Sequence, residues 1–111
     1  MCEALKQQFT EALRATNEEA AKLGCYSVVF DDMLSRLGGV ETARRLTGTF
    51  EIQAGMRNVC ALGRPDLSTE AMMLRPEYAK LFKDRERDAA RFRLEQMGVS
   101  NKQQERLDNP G

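Results

Sequence analysis

Apolar side chains recur every three or four residues through residues 3–23, the first long segment of the chain. At about 100° per residue these positions fall on one stripe of a helix, and charged or amide side chains fill the rest of the circumference. Gly24 follows, at the position where a residue with left-handed backbone angles often ends a helix. The pattern predicts that the longest helix of the chain spans 3–23. Its apolar stripe consists of Leu5, Phe9, Ala12, Leu13, Thr16, Ala20 and Leu23.

The next segment allows two interpretations. β-Branched and aromatic residues cluster over 26–30, which is the composition of a strand. Ser27, however, is a good helix cap, and Gly38-Gly39 can end a helix that begins after it. The apolar positions also follow the helical period, so we predict a helix over 28–37. These positions are Val29, Phe30, Met33, Leu34 and Leu37.

Two further helices are predicted before residue 63. A short one covers 40–46 and is broken by the run Thr47-Gly48-Thr49. A second covers 50–62, where Gly55 lies inside the helix and predicts a close contact with another helix, because glycine otherwise weakens a helix interior. Gly63 ends it. Its apolar face consists of Ile52, Met56, Val59 and Cys60.

Start and stop signals divide the segment that follows Gly63. Ser68 is a good N-cap, and Leu67 and Met72 have the spacing of a hydrophobic staple around it. This helix is expected to end near Leu74, since Pro76 disfavours helical angles in the residue before it. Pro76 also suits the first turn of a new short helix.

The final helix is predicted over 85–97, with Asp84 as its cap and Gly98 at its end. Residues 99–111 are polar and predict a flexible tail. We therefore predict an all-α fold: one domain, 1–98, in the form of an irregular compact bundle of about six helices. The apolar face of the final helix consists of Ala90, Leu94 and Met97.

Histidine is absent from the sequence. Ser-His-Asp and Cys-His nucleophile pairs are therefore excluded, and zinc, haem and non-haem iron sites lose their usual ligand. The sequence has no glycine-rich phosphate-binding loop. The adjacent acids Asp31 and Asp32 diverge by about 100° on a helix, which disfavours a shared acid–base site. We expect a protein that is not an enzyme and has no catalytic residue, metal or organic cofactor.

The three cysteines, Cys2, Cys25 and Cys60, match neither a disulfide framework nor a zinc site. Cys60 is expected to pack as a small hydrophobic residue, whereas a redox or intermolecular role for Cys2 or Cys25 is the alternative. The N-terminus is polar, unlike a signal peptide, and no apolar run approaches the ~20 residues that cross a bilayer. We expect a cytoplasmic protein that does not bind membranes.

Phe92 lies on the final helix opposite its apolar face, near Ala89. It either packs beneath 76–82 or anchors an interface. The methionines are either core residues or part of an adaptable groove for a partner helix or a small apolar ligand. We predict a small interaction or regulatory module that forms a homodimer through an apolar helix face, with a further protein partner as an open option. The candidate interface residues are Phe92, Ala89, Leu5, Phe9, Leu13, Met72 and Met73.

Basic and acidic residues number 17 each, so no global field attracts the chain to nucleic acid. Arginines nevertheless crowd the final helix, where acidic residues three or four positions away predict solvated ion pairs. A helix that enters a nucleic-acid groove leaves its arginines unpaired for phosphates and bases. Nucleic-acid binding is the alternative function, and its candidate residues are Arg85, Arg87, Arg91 and Arg93.

Residues 38–98 carry a pattern in two parts. The upstream part is the run from Gly38 to Leu46. The rest consists of Gly63-Arg64, Asp66-Leu67-Ser68, Glu70-Ala71, Leu74, Pro76, Leu81-Phe82, Ala90-Arg91, Leu94 and Gly98. In this pattern residues 38–98 resemble a family of small, uncharacterised bacterial proteins. The resemblance implies an all-helical fold and no assigned activity or cofactor, and such proteins are frequent in mobile bacterial DNA. The chain departs from the family pattern at Lys83, where the family favours Ser or Thr.

Overall fold

The computed structural model describes residues 3–48 and 54–98, and over these ranges the chain forms six α-helices and two 3-10 helices, with no strand. The predicted all-α fold is confirmed, and the first helix is the longest. The α-helices are α1 (Glu3–Lys22), α2 (Val28–Leu37), α3 (Gly39–Thr47), α4 (Ala54–Ala61), α5 (Thr69–Met73) and α6 (Asp84–Gln96). The 3-10 helices are Pro65–Leu67 and Pro76–Leu81.

Some predictions fall outside what the structure describes. The polar tail predicted over 99–111, the first residues of the helix predicted over 50–62, and Ile52 all lie outside the described residues. The same holds for the side chain of Met56 and for the close contact predicted at Gly55. These expectations stay predictions.

Phe9 of α1 is at the centre of the core and is fully buried. Its ring meets the rings of Tyr78 and Phe82 edge to face, with centroids 5.0 and 5.2 Å away. Aromatic pairs favour this geometry, because the positive ring edge meets the negative ring face. Residues of α2, α3, α5 and α6 complete the same cluster, so one core holds the bundle together.

The turn between α1 and α2 is fixed by local hydrogen bonds. Gly24 has the left-handed φ of 83° that its position predicts. Ser27 caps α2, since its hydroxyl oxygen accepts from the Phe30 amide at 3.0 Å. Asn17 of α1 is buried and holds Ser27 from the other side, where its side-chain amide donates to the Ser27 carbonyl at 2.9 Å and accepts from the Ser27 amide at 3.1 Å. The helix predicted over 28–37 is confirmed, and the strand interpretation is wrong.

α1 and α3 are in close contact at Gly39, the first residue of α3. The Gly39 amide donates to Thr10 Oγ1 at 2.9 Å. A Cβ on Gly39 would lie 2.9 Å from the Cα of Thr10 and 3.1 Å from the Phe9 ring. Only a residue without a side chain fits between these two helices.

We expect Gly39→Ala to lower the free energy of unfolding by about 1–3 kcal/mol, the usual cost of overpacking. Helix propensity by itself predicts the opposite sign, because alanine favours a helix by about 1 kcal/mol over glycine. Urea unfolding followed by circular dichroism measures the change. Gly98→Ala is the comparison variant: a Cβ there meets no atom within 4 Å but φ is 83°, so a loss at Gly98 measures backbone strain, whereas Gly39 has no such φ and a loss there measures overpacking. A Gly39→Ala variant as stable as the parent contradicts the close contact.

The segment between α4 and α6 is less regular than predicted, because it contains two 3-10 helices. Ser68 is the N-cap of α5 as expected, because its hydroxyl oxygen accepts from the Ala71 amide at 3.1 Å. The same hydroxyl donates to the Pro65 carbonyl at 2.7 Å, which closes the unpredicted 3-10 helix before it. α5 ends at Met73, and Pro76 begins a 3-10 helix in place of an α-helix.

The predicted cap of the final helix is wrong, because Asp84 is the first residue of α6 and Lys83 precedes it. Glu86 caps the helix by reaching back, with Oε1 accepting from the Lys83 amide at 2.8 Å. Its Oε2 accepts from Arg44 Nε of α3 at 2.9 Å. Burial raises the pKa of the Glu86 carboxyl, but the Lys83 amide and the Arg44 guanidinium outweigh it and bring this pKa below its ordinary value.

No helix in the described ranges is both long enough and apolar enough to span a bilayer. No group of three or more cysteine and acidic side chains in these ranges converges in a way that would hold a metal ion.

Candidate functional site

A buried ion pair joins α5 to α6. Arg93 Nε donates to Glu70 Oε2 at 2.7 Å, and the two residues are only 5% and 2% exposed. Ala90, about one turn earlier on α6, and Leu94, the next residue, are also buried. Arg93 therefore lies on the apolar face that packs against α5, and its burial corrects the expectation of a solvated arginine available to nucleic acid.

The other three candidate arginines differ in their surroundings. Arg87 donates from Nε and Nη2 to the carbonyls of Met73 and Leu74, at 3.2 and 2.8 Å. These carbonyls end α5, where helices leave carbonyl groups without an internal partner. Arg91 pairs with Asp88 at 3.4 Å, and Arg85 is exposed. Arg87 and Arg93 both bind groups of α5 or its end, so the four arginine side chains do not form one row that faces solvent.

Four of the seven candidate interface residues belong to the core. All four are less than a tenth exposed and are in contact with the same apolar cluster. Their side chains are covered by the chain itself, because each lies on the inner face of its helix. A partner on the surface does not reach them. They are Phe9, Leu13, Met72 and Met73.

The other three candidates are at the edge of the core or outside it. Leu5 is partly buried and packs against the core, and Ala89 is half-buried. Phe92 is 60% exposed, so it does not pack beneath the preceding 3-10 helix as one alternative required. Its neighbours one turn away on α6 are polar apart from Ala89, which makes Phe92 a single apolar side chain on a charged surface.

A larger exposed apolar surface lies at the turn between α1 and α2. We call it the apolar corner: Leu23, Tyr26, Val28 and Val29, which are 41, 48, 72 and 71% exposed. The sequence placed Leu23 and Val29 on inner faces, and both expectations are wrong. α1 ends before Leu23, and α2 turns Leu34 rather than Val29 into the core. The period of the apolar residues did not predict this exposed cluster.

Charged pairs flank the apolar corner along the chain. The hydrogen bond from Lys22 lowers the pKa of the Glu19 carboxyl, and the same contact raises the pKa of the Lys22 amine. Each of these pairs carries one charge of each sign, so acids and bases both lie beside the corner. The pairs are Glu19–Lys22 at 2.9 Å, Arg14–Asp31 at 3.5 Å and Asp32–Arg36 at 2.9 Å.

A cavity of about 240 Å³ lies behind the corner, between α1, α2 and the start of α5. Phe30 and Met33 of α2 form part of its apolar wall. Glu70, Thr69 and Asn17 supply polar groups. Val29 lines the cavity and is largely exposed, which places it at the opening.

Cys60 of α4 lies near Glu70, one of the polar residues that line the cavity. Burial raises the pKa of its thiol, and the negative charge of Glu70 raises it further. The thiolate is the reactive form of cysteine, so a raised pKa keeps Cys60 unreactive at neutral pH. Cys60 packs against the core, which confirms its prediction as a small hydrophobic residue.

Comparisons of the chain with family models, with curated proteins and with solved structures find no match. The resemblance described for residues 38–98 stays a prediction. No residue role is carried over from a relative, and the proposals below rest on the geometry of this chain.

Proposed function

We propose that this chain is a non-enzymatic interaction module that acts as a homodimer, with the apolar corner as the dimer interface. The observation that supports it is the exposure of four apolar side chains within seven residues. Removing apolar surface from water gains about 25 cal/mol per Å², so a cluster of this kind favours association. Exposed apolar clusters of this kind commonly mark contact sites.

Charge favours a second copy of the chain as the partner. The formal net charge is zero, so two copies do not repel one another. In a two-fold interface the same surface meets itself, and acids of one copy can face bases of the other. The mixed ion pairs beside the corner suit that arrangement.

We place the module in the cytoplasm. Cys25 and Cys60 are both free thiols, which supports a reducing compartment. Phe92 is a weaker candidate for the interface, because its surroundings on α6 are polar.

Val28→Glu tests the proposed dimer. Val28 begins α2, where an acidic side chain favours the helix dipole, so the variant is expected to fold. In the dimer, however, the two new charges face each other in an apolar contact. Like charges in contact cost several kcal/mol, so we expect the dissociation constant to rise by about a hundredfold or more.

Size-exclusion chromatography with light scattering over a dilution series measures the mass. We expect the parent at twice the chain mass of 12.6 kDa, and Val28→Glu at one chain mass. Phe92→Glu is the matched control, since it places the same charge on an exposed apolar position of α6, and it should stay dimeric. A parent that is monomeric throughout, or a Val28→Glu variant that dimerises like the parent, rules out the corner as a dimer interface.

A further inference from the structure

The cavity behind the apolar corner has the size of a small-ligand site. Its volume is about 240 Å³. A cavity of about 150 Å³ with apolar walls admits benzene, so by proportion this one holds roughly ten non-hydrogen atoms. Larger ligand pockets start at about 300 Å³. Most of the wall is apolar, including Phe30, Met33, Val59 and Leu67, and these side chains favour an apolar ligand body.

The polar groups at the start of α5 select one end of such a ligand. Glu70 is only 2% exposed. Arg93 donates to its Oε2 atom, and the remaining lone pairs of the carboxylate can accept a further hydrogen bond. Thr69 is 9% exposed, and its hydroxyl makes no hydrogen bond within the described parts of the chain. Asn17 differs, because Ser27 occupies both ends of its amide. Thr69 and Glu70 therefore offer the polar contacts that a ligand can complete.

The charge of the site favours a neutral ligand. Arg93 already balances the charge of Glu70 inside the protein. An added ammonium or carboxylate would be buried without a counter-charge, and burying an unpaired charge is costly. A hydroxyl or similar group, in contrast, can donate to an acceptor already in place.

We infer that this cavity binds a small uncharged molecule that has an apolar body and one hydrogen-bond-donating group. The apolar body lies against the α2 wall, and the donor meets Thr69 and Glu70 at the start of α5. The molecule enters past Val29. This inference does not rest on the dimer, because the lining residues all belong to one chain.

The test uses 4-ethylphenol and ethylbenzene, which differ only by the hydroxyl group. Each is titrated into ¹⁵N-labelled protein, and the backbone amide shifts are followed by NMR. We expect saturable shifts at Ala20, Cys25, Thr69 and Glu70 with both probes. One hydrogen bond favours 4-ethylphenol by about two- to tenfold in affinity.

Thr69→Val separates polar recognition from simple filling of a void. Valine has nearly the shape of threonine, and the hydroxyl that it removes has no hydrogen-bond partner among residues 3–48 and 54–98, so the variant should be folded. We expect it to weaken 4-ethylphenol by about threefold and to leave ethylbenzene unchanged, because the hydroxyl contributes only a single neutral hydrogen bond. The same titration on Val28→Glu, which leaves the cavity lining intact and the entrance past Val29 open, should again show tighter binding of 4-ethylphenol than of ethylbenzene, whether or not the parent dimerises through the corner.

Three results overturn the inference. One is the absence of shifts at the four cavity amides with either probe. The second is a set of shifts confined to exposed residues such as Val28 and Leu62, which indicates adsorption to the surface. The third is equal affinity for the two probes in both the parent and Thr69→Val, which indicates a void without polar recognition.

Discussion

Replacing Arg93 by methionine is expected to lower the free energy of unfolding by about 3–5 kcal/mol, the usual cost of removing one partner of a buried ion pair. Glu70 would keep its negative charge while 98% buried, with its closest cation gone. Domains of this size are stable by only about 5–15 kcal/mol in total, so the variant should unfold at much lower urea concentration. Urea unfolding followed by circular dichroism measures the loss.

The double variant Glu70→Leu with Arg93→Met separates charge from packing. With both charges removed, the site between α5 and α6 is apolar, and replacing a whole buried pair by apolar residues is often neutral or stabilising. We expect the double variant to recover most of the stability that Arg93→Met loses. If it is no more stable than Arg93→Met, the loss does not come from an unpaired carboxylate but from the packing and other contacts of the arginine side chain.

Phe9→Ala is expected to have an effect of the same size, a loss of about 3–5 kcal/mol in the free energy of unfolding. The ring is fully buried, and its removal leaves a void against Tyr78 and Phe82 as well as losing two edge-to-face contacts. Thermal and urea unfolding of the purified variant provide the measurement.

Phe92→Ala is the matched control, since it is the same substitution at a phenylalanine that is 60% exposed. Exposed positions away from special features usually change stability by no more than about 0.5 kcal/mol. The two phenylalanines were both candidates for an interface from the sequence. Similar losses at Phe9 and Phe92 would contradict the division of these residues between core and surface.

Most of the helices were predictable because their signals are local. Gly24 and Ser27 each act within a few residues of their own position, and Ser68 caps α5 in the same way. The period of the apolar residues then gives the helix between such signals. The cap of α6 was missed because Glu86 reaches back from inside the helix, a contact that competes with the more familiar cap at Asp84.

The buried ion pair was not predictable from local pattern. Arg93 falls on the same face of α6 as Ala90 and Leu94, but an arginine is assigned to solvent by residue type. Its burial depends on Glu70, which lies 23 positions earlier in the chain and on another helix. The available signal was that Arg93 is a charged residue at a position where the helical period predicts an apolar one.

The candidate site could not be predicted from the sequence for a similar reason. The cavity draws its wall from α1, α2, α3, α4 and the start of α5, so no single segment carries a motif for it. The apolar corner was hidden because Val29 has the residue type and the spacing of a core position. Which side of α2 is covered depends on how α1 and α3 pack against it.

The hydrogen bonds between Asn17 and Ser27 also bear on how two copies of the chain can meet. Ser27 has an extended backbone, with φ −116° and ψ 112°, in a stretch whose composition suits a strand. An exposed extended segment invites edge pairing with another chain. Here the side chain of Asn17 occupies both the amide and the carbonyl of Ser27, as a neighbouring strand would. A strand from another chain can therefore pair with these two groups of Ser27 only by displacing Asn17, which blocks edge pairing at this residue.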